Sequence, residues 1–261
     1  MSLFDDLRTA LREDRPVALA TVIDGPHVGG TLLVQPDRPA QGSLGNLDLD
    51  RVVARDALGE LSAGRSGVRH YGPRGQANQD EVSVFMDVHA PPPRMVIFGA
   101  VDFTAALCRV AKVLGYKVTV CDAREVFATR ARFPLADEVV VDWPDRVLTR
   151  LGPTLGPADA VCVLTHDPKF DVPAIEGALA SEVGYLGVMG SRRTHEARMQ
   201  RLAEVGVTDE SAIARIHAPI GLDLGARTPE ETAISICAEI IAVRTGRDGR
   251  RLRAAKGPIH P

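Results

Sequence analysis

The chain has 261 residues with 45% hydrophobic and 25% charged residues, a length and composition that predict a globular protein of two domains. Its net charge of −3 at pH 7 argues against a nucleic-acid-binding protein, which needs a basic face. The acidic opening MSLFDDLRTALRED lacks the apolar core of a signal peptide, so none is expected, and no apolar run reaches the length of a membrane span. Four widely spaced cysteines without a C-x-x-C pair add to the prediction of a reduced, cytoplasmic protein.

The first ninety residues carry the patterns of a small α+β domain. Apolar residues from Leu3 to Leu11 recur at helical spacing and predict an N-terminal helix. Alternating or compact apolar runs predict strands at 16–25, 29–37, 68–72 and 81–88, with a helix near 49–61 between the second and third. Consecutive prolines at 91–93 interrupt regular structure, so we place the linker there and the domain at residues 1–90.

From residue 91 to 245 the pattern changes to that of an α/β domain. Compact β-branched runs predict buried strands at 95–99, 117–122, 138–142, 160–167 and 184–190. Helical stretches alternate with them, which predicts a Rossmann-like parallel sheet with right-handed crossovers. A last helix is predicted at 229–244, where Thr228 and Glu231 form a capping box. The basic tail at 246–261 is predicted to be disordered.

The glycine loop after the first of these strands departs from the dinucleotide-binding pattern G-x-G-x-x-G. Gly99 and Ala100 open the loop, but Val101 and Thr104 occupy the second and third glycine positions. Asp122, followed by Arg124, stands where a ribose-binding acid is expected. The loop therefore belongs either to a site for a nucleotide-like ligand or to a scaffold in which it only turns the chain.

The stretch LTHDPKFD at 164–171 follows the fourth strand, which we expect beside the first, where the strand order reverses. Thr165, His166, Asp167 and Lys169 are therefore candidates for the ligand crevice. A neutral histidine near a carboxylate can transfer protons, so His166 and Asp167 are the catalytic candidates. The alternative is an ordinary polar loop, in which Asp171 caps the next helix.

The stretch GVMGSRR leads from the fifth strand into a helix. Gly190 and Ser191 form the turn, and Arg192 and Arg193 lie in the first helical turn. Positive charges at a helix N-terminus oppose the helix dipole unless an anion binds there. The pattern predicts a phosphate or pyrophosphate site, with two merely exposed arginines as the alternative.

Further along, Gly221 and Gly225 indicate a loop with positive φ values or a close approach to another backbone, and Asp223 is expected to face the crevice. The helix after this loop begins with Glu230 and Glu231, which makes its start a poor anion site. The seven histidines show no metal-ligand spacing, so no metal site is predicted.

Taken together, THDPKFD, YLGVMGSRR and APIGLDLGARTPEETAISICAEI behind VIFGA resemble the XdhC/CoxI family of accessory proteins for molybdenum hydroxylases. The resemblance implies a protein that binds molybdenum cofactor (molybdopterin) and protects it while sulfur replaces an oxo ligand. It further implies transfer of the cofactor to the apoenzyme of a hydroxylase such as xanthine dehydrogenase, with a cysteine desulfurase as a second partner. With the apolar C-terminal helix, it favours a homodimer.

The chain also departs from this family. A cysteine is typical in a GGC-like stretch where the chain has GNLDLD at 45–50, and a second where it has ANQDEV at 77–82. The loop GAGH is replaced by GAVD. A thiol-dependent step is therefore not expected here. A maturation chaperone, an NAD(P)-dependent oxidoreductase and a non-catalytic binding protein remain as competing hypotheses.

Overall fold

The structure, a computed structural model, describes residues 2–36, 38–77 and 79–254. The chain divides into two compact units, Met1–Pro91 and Pro92–Pro261. Of the predicted tail, the last residues, 255–261, lie outside the described part of the chain, and Leu252–Ala254 form a single 3-10 turn.

The first unit is an antiparallel five-stranded sheet of order β3-β2-β1-β5-β4. Its elements are α1 (Leu3–Arg12), β1 (Val17–Asp24), β2 (Thr31–Gln35), β3 (Arg38–Ser43), α2 (Leu47–Ala63), β4 (Gly67–Tyr71) and β5 (Val82–His89). Leu49, Val53 and Ala57 bury one side of α2 against the sheet. The sequence did not predict β3, because RPAQGS is a polar, largely exposed edge strand without apolar alternation.

The second unit confirms the predicted Rossmann-like fold, since all strand pairs of its six-stranded sheet are parallel. Its strands are β6 (Arg94–Phe98), β7 (Lys117–Cys121), β8 (Glu138–Val140), β9 (Ala160–Val163), β10 (Tyr185–Val188) and β11 (Ile216–His217). Its helices are α3 (Asp102–Val113), α4 (Pro144–Leu151), α5 (Pro168–Leu179), α6 (Arg192–Glu204), α7 (Glu210–Ile213) and α8 (Pro229–Arg244). The short elements α7 and β11 carry too few residues for a periodic pattern and were not predicted. The expectation of a helix between successive strands is wrong between β7 and β8, where the chain forms only turns and bends.

Helices cover both faces of this sheet. One core joins the sheet to α3 and α8 through residues such as Leu107 and Ile236, and the other joins it to α4, α5 and α6 through Val147, Ile175 and Leu202. Thr228 caps α8 and Glu231 completes the capping box, as predicted. In the described part of the chain, no helix has both the length and the hydrophobicity that a bilayer crossing needs.

The strand order β11-β10-β9-β6-β7-β8 positions the candidate site. The chain runs outward from β6 to β7 and β8, then returns to place β9 on the other side of β6, as predicted. The loops after β6 and β9 therefore diverge at the carboxyl edge. In open parallel sheets, ligands bind in the crevice between two such loops.

Candidate functional site

The predicted site residues all follow strands of the parallel sheet, so they lie along its carboxyl edge. Gly99 and Ala100 follow β6, and Asp122 and Arg124 follow β7. Thr165, His166 and Asp167 follow β9. Gly190, Ser191, Arg192 and Arg193 follow β10, and Gly221 and Asp223 follow β11. The loops after β6 and β9 are in close contact at Gly99, where an added Cβ would lie 2.8 Å from Thr165 Cγ2. Gly99 also has φ +110°, so both its backbone conformation and this close contact disfavour a side chain there.

Asp122, the expected ribose-binding acid, is almost fully buried, and both of its carboxylate oxygens already accept hydrogen bonds. Its Oδ2 accepts hydrogen bonds from the Ala100 amide and Arg124 Nη2, both at 2.8 Å, and its Oδ1 accepts one from Arg124 Nε at 2.9 Å. Burial acts to raise the pKa of Asp122, but these donors outweigh it, and the pKa is lowered overall. The ionised carboxylate therefore has no oxygen held open for ribose hydroxyl groups.

The rest of the glycine loop is also internally hydrogen-bonded. The buried Thr104 hydroxyl donates to the Gly99 carbonyl, and the Val101 amide donates to Thr104 Oγ1 at 3.4 Å. Arg132 Nη1 donates to the Ala100 carbonyl at 3.0 Å. Since Ala100 and Val101 use their amides inside the loop, the turn is a poor pyrophosphate site, which agrees with the substitution of its glycines.

In the loop after β9, Asp167 is the N-cap of α5, and its Oδ1 accepts a hydrogen bond from the Lys169 amide at 3.0 Å. The expectation that Asp171 caps this helix is wrong: α5 begins at Pro168, and Asp171 lies inside its first turn. His166 is exposed, and within the described residues no carboxylate forms a hydrogen bond or ion pair with its imidazole. The catalytic role of His166 and Asp167 stays a prediction.

Asp171 instead belongs to a buried polar network that links the loops after β9 and β10. The Thr165 hydroxyl donates to Asp171 Oδ1, and Arg198 Nη2 donates to Asp171 Oδ2 at 2.8 Å and to the Met189 carbonyl at 2.9 Å. Asp171 and Arg198 are only 3% and 2% exposed. Sequence reasoning missed Arg198, although it lies one helical turn before the buried Leu202 on the same face of α6.

The start of α6 lies directly beside this network. Gly190 has φ +146°, and an added Cβ would lie 3.5 Å from Arg198 Nη2. Ser191 caps the helix by accepting a hydrogen bond from the Thr194 amide at 3.1 Å. Arg192 and Arg193 are exposed in a first turn that holds no acid. The arrangement is suited to an anion, because no carboxylate in that turn competes for the positive end of the helix.

Two buried nitrogen atoms near this helix start have no hydrogen-bond partner among the described residues: Arg198 Nη1 and His195 Nδ1. Burial, and then the charge of Arg198, lower the pKa of His195. A buried guanidinium nitrogen without an acceptor is costly, and such groups commonly meet a water, an ion or a ligand. Arg198 Nη1 is thus a polar group beside the start of α6 whose hydrogen-bonding capacity the described residues leave unused.

The loop after β11 is held in place by Glu239, which the sequence pattern does not single out. Glu239 Oε2 accepts hydrogen bonds from the Gly221 amide at 2.8 Å and from the Tyr185 hydroxyl at 2.5 Å. Gly221 has φ +98° and packs so closely on α8 that an added Cβ would lie 2.5 Å from Ser235 Oγ. Its close approach is thus structural, while Asp223 is exposed on the same loop.

The cysteines are unsuited to nucleophilic chemistry, since all four are free and buried. Burial raises the pKa of Cys108, Cys121 and Cys237 to about 12, and that of Cys162 well above its usual range. In the stretch 45–50, where the resembling family typically has a cysteine, Asn46 caps α2 instead. Within the described residues, no three His, Cys, Asp or Glu side chains group as metal ligands would.

Comparison with known protein families gives two matches. Residues 95–240 match the family described as the XdhC Rossmann domain. Residues 10–72 match the XdhC and CoxI family. The first match covers more than half of the chain and includes every predicted site residue of the parallel sheet. The resemblance inferred from the sequence motifs is confirmed.

Known relatives agree with this assignment. The chain is 28% identical over its whole length to the uncharacterized protein YqeB of Escherichia coli K12 and spans 49% of it. It is 32% identical to a protein of Bacillus subtilis named as a probable xanthine dehydrogenase component, over 62% of the chain and 46% of the relative. It is 39% identical over 85 residues, or 33% of the chain, to the E. coli molybdenum cofactor insertion chaperone PaoD, spanning 26% of it. The chain thus spans about half or less of these relatives.

Among solved structures, one described as a xanthine dehydrogenase from Bacillus halodurans has the same fold. The two chains superpose with a TM-score of 0.56 at 22% identity, over 98% of each chain. At this identity, the likeness establishes the fold alone.

Proposed function

The chain belongs to the XdhC and CoxI family, and from this we propose that it is an accessory protein that binds molybdenum cofactor and assists maturation of a molybdenum hydroxylase. The proposed client is an enzyme such as xanthine dehydrogenase. The names of the B. subtilis and PaoD relatives support this role. We further propose that the chain acts as a chaperone without turnover of its own.

The observation that carries the proposal is the start of α6. Arg192 and Arg193 present two exposed guanidinium groups beside the positive end of the helix dipole, and the first turn holds no carboxylate. Close to them lies the buried Arg198, with one nitrogen lacking an acceptor among the described residues. Molybdopterin carries a terminal phosphate, and guanidinium groups bind phosphate through charge-assisted, often bidentate hydrogen bonds. These residues fit the phosphate end of the cofactor.

When bound, the cofactor supplies the redox centre that the client hydroxylase later uses. In our proposal, the residues of this chain bind and shield it. Arg192, Arg193 and the Ser191 turn hold the anionic end. Arg198 and Asp171 keep the loops after β9 and β10 together beneath it. The exposed His166 borders the same edge and needs no role in proton transfer.

The buried thiols argue against a persulfide relay within this chain. A sulfur carrier needs an accessible thiolate, whereas Cys108, Cys121 and Cys237 are buried and have raised pKa values of about 12. We therefore propose that any sulfuration draws its sulfur directly from a partner such as a cysteine desulfurase. The chain then holds the cofactor, in our proposal as a homodimer, until insertion.

An NAD(P)-dependent oxidoreductase is the second candidate, favoured by the strand order of a dinucleotide-binding sheet. The occupied carboxylate of Asp122 and the internally bonded Ala100 and Val101 amides weigh against it. A fold shared with dinucleotide-binding enzymes does not by itself imply their chemistry. The third candidate, a non-catalytic binding protein, differs from the first only in its ligand and partner.

The test is calorimetric titration of the full chain with isolated molybdenum cofactor under anaerobic conditions, with NADPH in parallel. We expect saturable heat from the cofactor and none from NADPH. Arg192→Ala/Arg193→Ala should weaken cofactor binding at least about tenfold, because a hydrogen bond to a charged group contributes ~1.5–3 kcal/mol. Arg51→Ala/Arg55→Ala is the matched control, since both arginines are exposed on α2 and paired with surface acids.

Two results would contradict the proposal. Saturable NADPH binding without a response to the cofactor would favour the oxidoreductase. Equal loss of affinity in both double arginine variants would mean that the positive charge of the chain, not the start of α6, attracts the cofactor.

A further inference from the structure

Aromatic side chains are scarce in this protein, yet three of them gather at the carboxyl edge of the parallel sheet. The chain has one Trp, three Tyr and seven Phe residues, which is 4% of its length. Phe127, Trp143 and Phe170 follow β7, β8 and β9, respectively, and lie in contact with Arg124 or with one another. We call these four side chains, Arg124, Phe127, Trp143 and Phe170, the aromatic shelf.

The members of the aromatic shelf are stacked. The rings of Trp143 and Phe170 have centroids 4.9 Å apart and an interplanar angle of 30°. Arg124 Cζ lies 4.5 Å from the Phe127 centroid and 5.9 Å from that of Phe170. Arg124 thus bridges the two phenylalanines, and the shelf is continuous from the loop after β7 to the first turn of α5.

Arg124 is fixed in this position by Asp122. Its guanidinium makes a bidentate pair with that carboxylate, whose side chain is 2% exposed, while its own side chain is 45% exposed. A guanidinium held by one edge keeps its planar face free for stacking. The pair that occupies Asp122 therefore fixes the position of Arg124 and leaves its side chain partly exposed beside the rings.

The rings of the shelf are not part of the core. Trp143 is 41% exposed and Phe127 is 40% exposed, and neither belongs to either core of this unit. Trp143 is the N-cap residue of α4 but makes no capping hydrogen bond with its side chain. Neither a capping hydrogen bond nor membership of a core therefore accounts for the large exposed area of these rings.

We propose that the aromatic shelf stacks a planar heteroaromatic ring of the bound ligand. The ring is the pterin of the molybdenum cofactor or the base of a nucleotide attached to it, since both have flat faces that pair with aromatic rings and guanidinium planes. This inference rests on the proposed function. A protein partner is disfavoured, because stable protein interfaces use about 20–30 residues a side and the shelf has four.

The experiment uses the fluorescence of Trp143, the sole tryptophan of the chain. The full-length protein is titrated separately with pterin-6-carboxylate, CMP, GMP and inorganic phosphate, and a free tryptophan analogue corrects for ligand absorption. We expect saturable quenching by a ring compound and none by phosphate. Quenching by the pterin alone assigns the shelf to the pterin, and quenching by a nucleotide alone assigns it to a base.

Variants locate the effect. Phe127→Ala should lower the affinity for the quenching ligand at least about tenfold, as expected for loss of one stacking partner. Phe127→Tyr should restore the affinity. Phe85→Ala is the matched control, because Phe85 is also a partly exposed phenylalanine but lies on β5 of the first unit. The same variants are titrated calorimetrically with molybdenum cofactor, where we expect the same order of affinities.

The outcomes separate this inference from the proposed function. If Phe127→Ala bound molybdenum cofactor as tightly as the unchanged protein, the aromatic shelf would not be a ring-stacking site. The chaperone proposal would be unaffected by that result. Ring-specific quenching in a protein that does not bind the cofactor would support the shelf and reject the proposed function. A change in Trp143 emission on adding a hydroxylase apoenzyme, with none from any ring compound, would overturn the shelf as a ligand site.

Discussion

Two helix starts at the same edge of the parallel sheet, those of α3 and α6, have the same topology but different surroundings. At the start of α3, the Ala100 and Val101 amides are taken by Asp122 and Thr104. At the start of α6, the side-chain cap Ser191 takes the Thr194 amide, and two arginines stand exposed without a first-turn acid. One turn is closed by its own side chains, and the other is open to an anion.

The position of a turn in a Rossmann-like sheet therefore does not decide what the turn binds. The glycine fingerprint works because the backbone can approach a pyrophosphate and because its amides have no other acceptor. In this protein, both conditions fail at the first turn. The proposed anion site therefore lies further along the edge, at the start of α6, where Arg192 and Arg193 are exposed and Arg198 Nη1 has no partner among the described residues.

The largest effect is expected from breaking the network that supports the open turn. Asp171→Ala leaves the guanidinium of Arg198 buried without its carboxylate, which should lower the free energy of unfolding by about 3–5 kcal/mol. Asp171→Leu/Arg198→Met removes both charges and should lose less. Urea unfolding followed by circular dichroism measures both. If the double variant were less stable than Asp171→Ala, the cost would come from packing and not from the unpaired charge.

A smaller effect is expected from opening the closed turn. Val101→Gly restores the second fingerprint glycine but leaves the Asp122 carboxylate occupied by Arg124. We expect no NADPH binding in calorimetry and a stability loss of about 1 kcal/mol from the half-buried valine. Saturable NADPH binding by this single variant would show that side-chain bulk, and not the occupied polar groups, had closed the turn.

The smallest effect concerns pH near the open turn. Burial, and then the Arg198 charge, lower the pKa of His195, so the unfolded chain binds a proton there more readily than the folded one. The contribution of His195 to the free energy of unfolding is therefore present above its ordinary pKa of about 6.5, and it is lost as pH falls below that value. Urea unfolding at pH 7.5 and 5.5 should show a smaller decrease for His195→Gln than for the unchanged protein. An equal decrease would assign the pH dependence to other groups.

The sequence determined the features that depend on neighbours in the chain. Hydrophobic periodicity predicted the parallel sheet, because strands buried on both faces must be continuous in apolar residues. The capping box of Thr228 and Glu231 and the missing fingerprint glycines are equally local. Strand order at the β6–β9 switch point followed from the order reversal that is common to doubly wound sheets.

Only the tertiary structure decided which side chains satisfy one another. Asp171 was expected from the sequence to be a cap, but its partner Arg198 lies 27 residues away, and Asp122 accepts from an amide 22 residues before it. Likewise, Phe127, Trp143 and Phe170 show no common pattern in the sequence and meet only because three parallel strands end at one edge. Local propensity acts over a few residues, whereas hydrogen-bond partners and ring stacking are chosen by the packing of elements that the chain itself keeps apart.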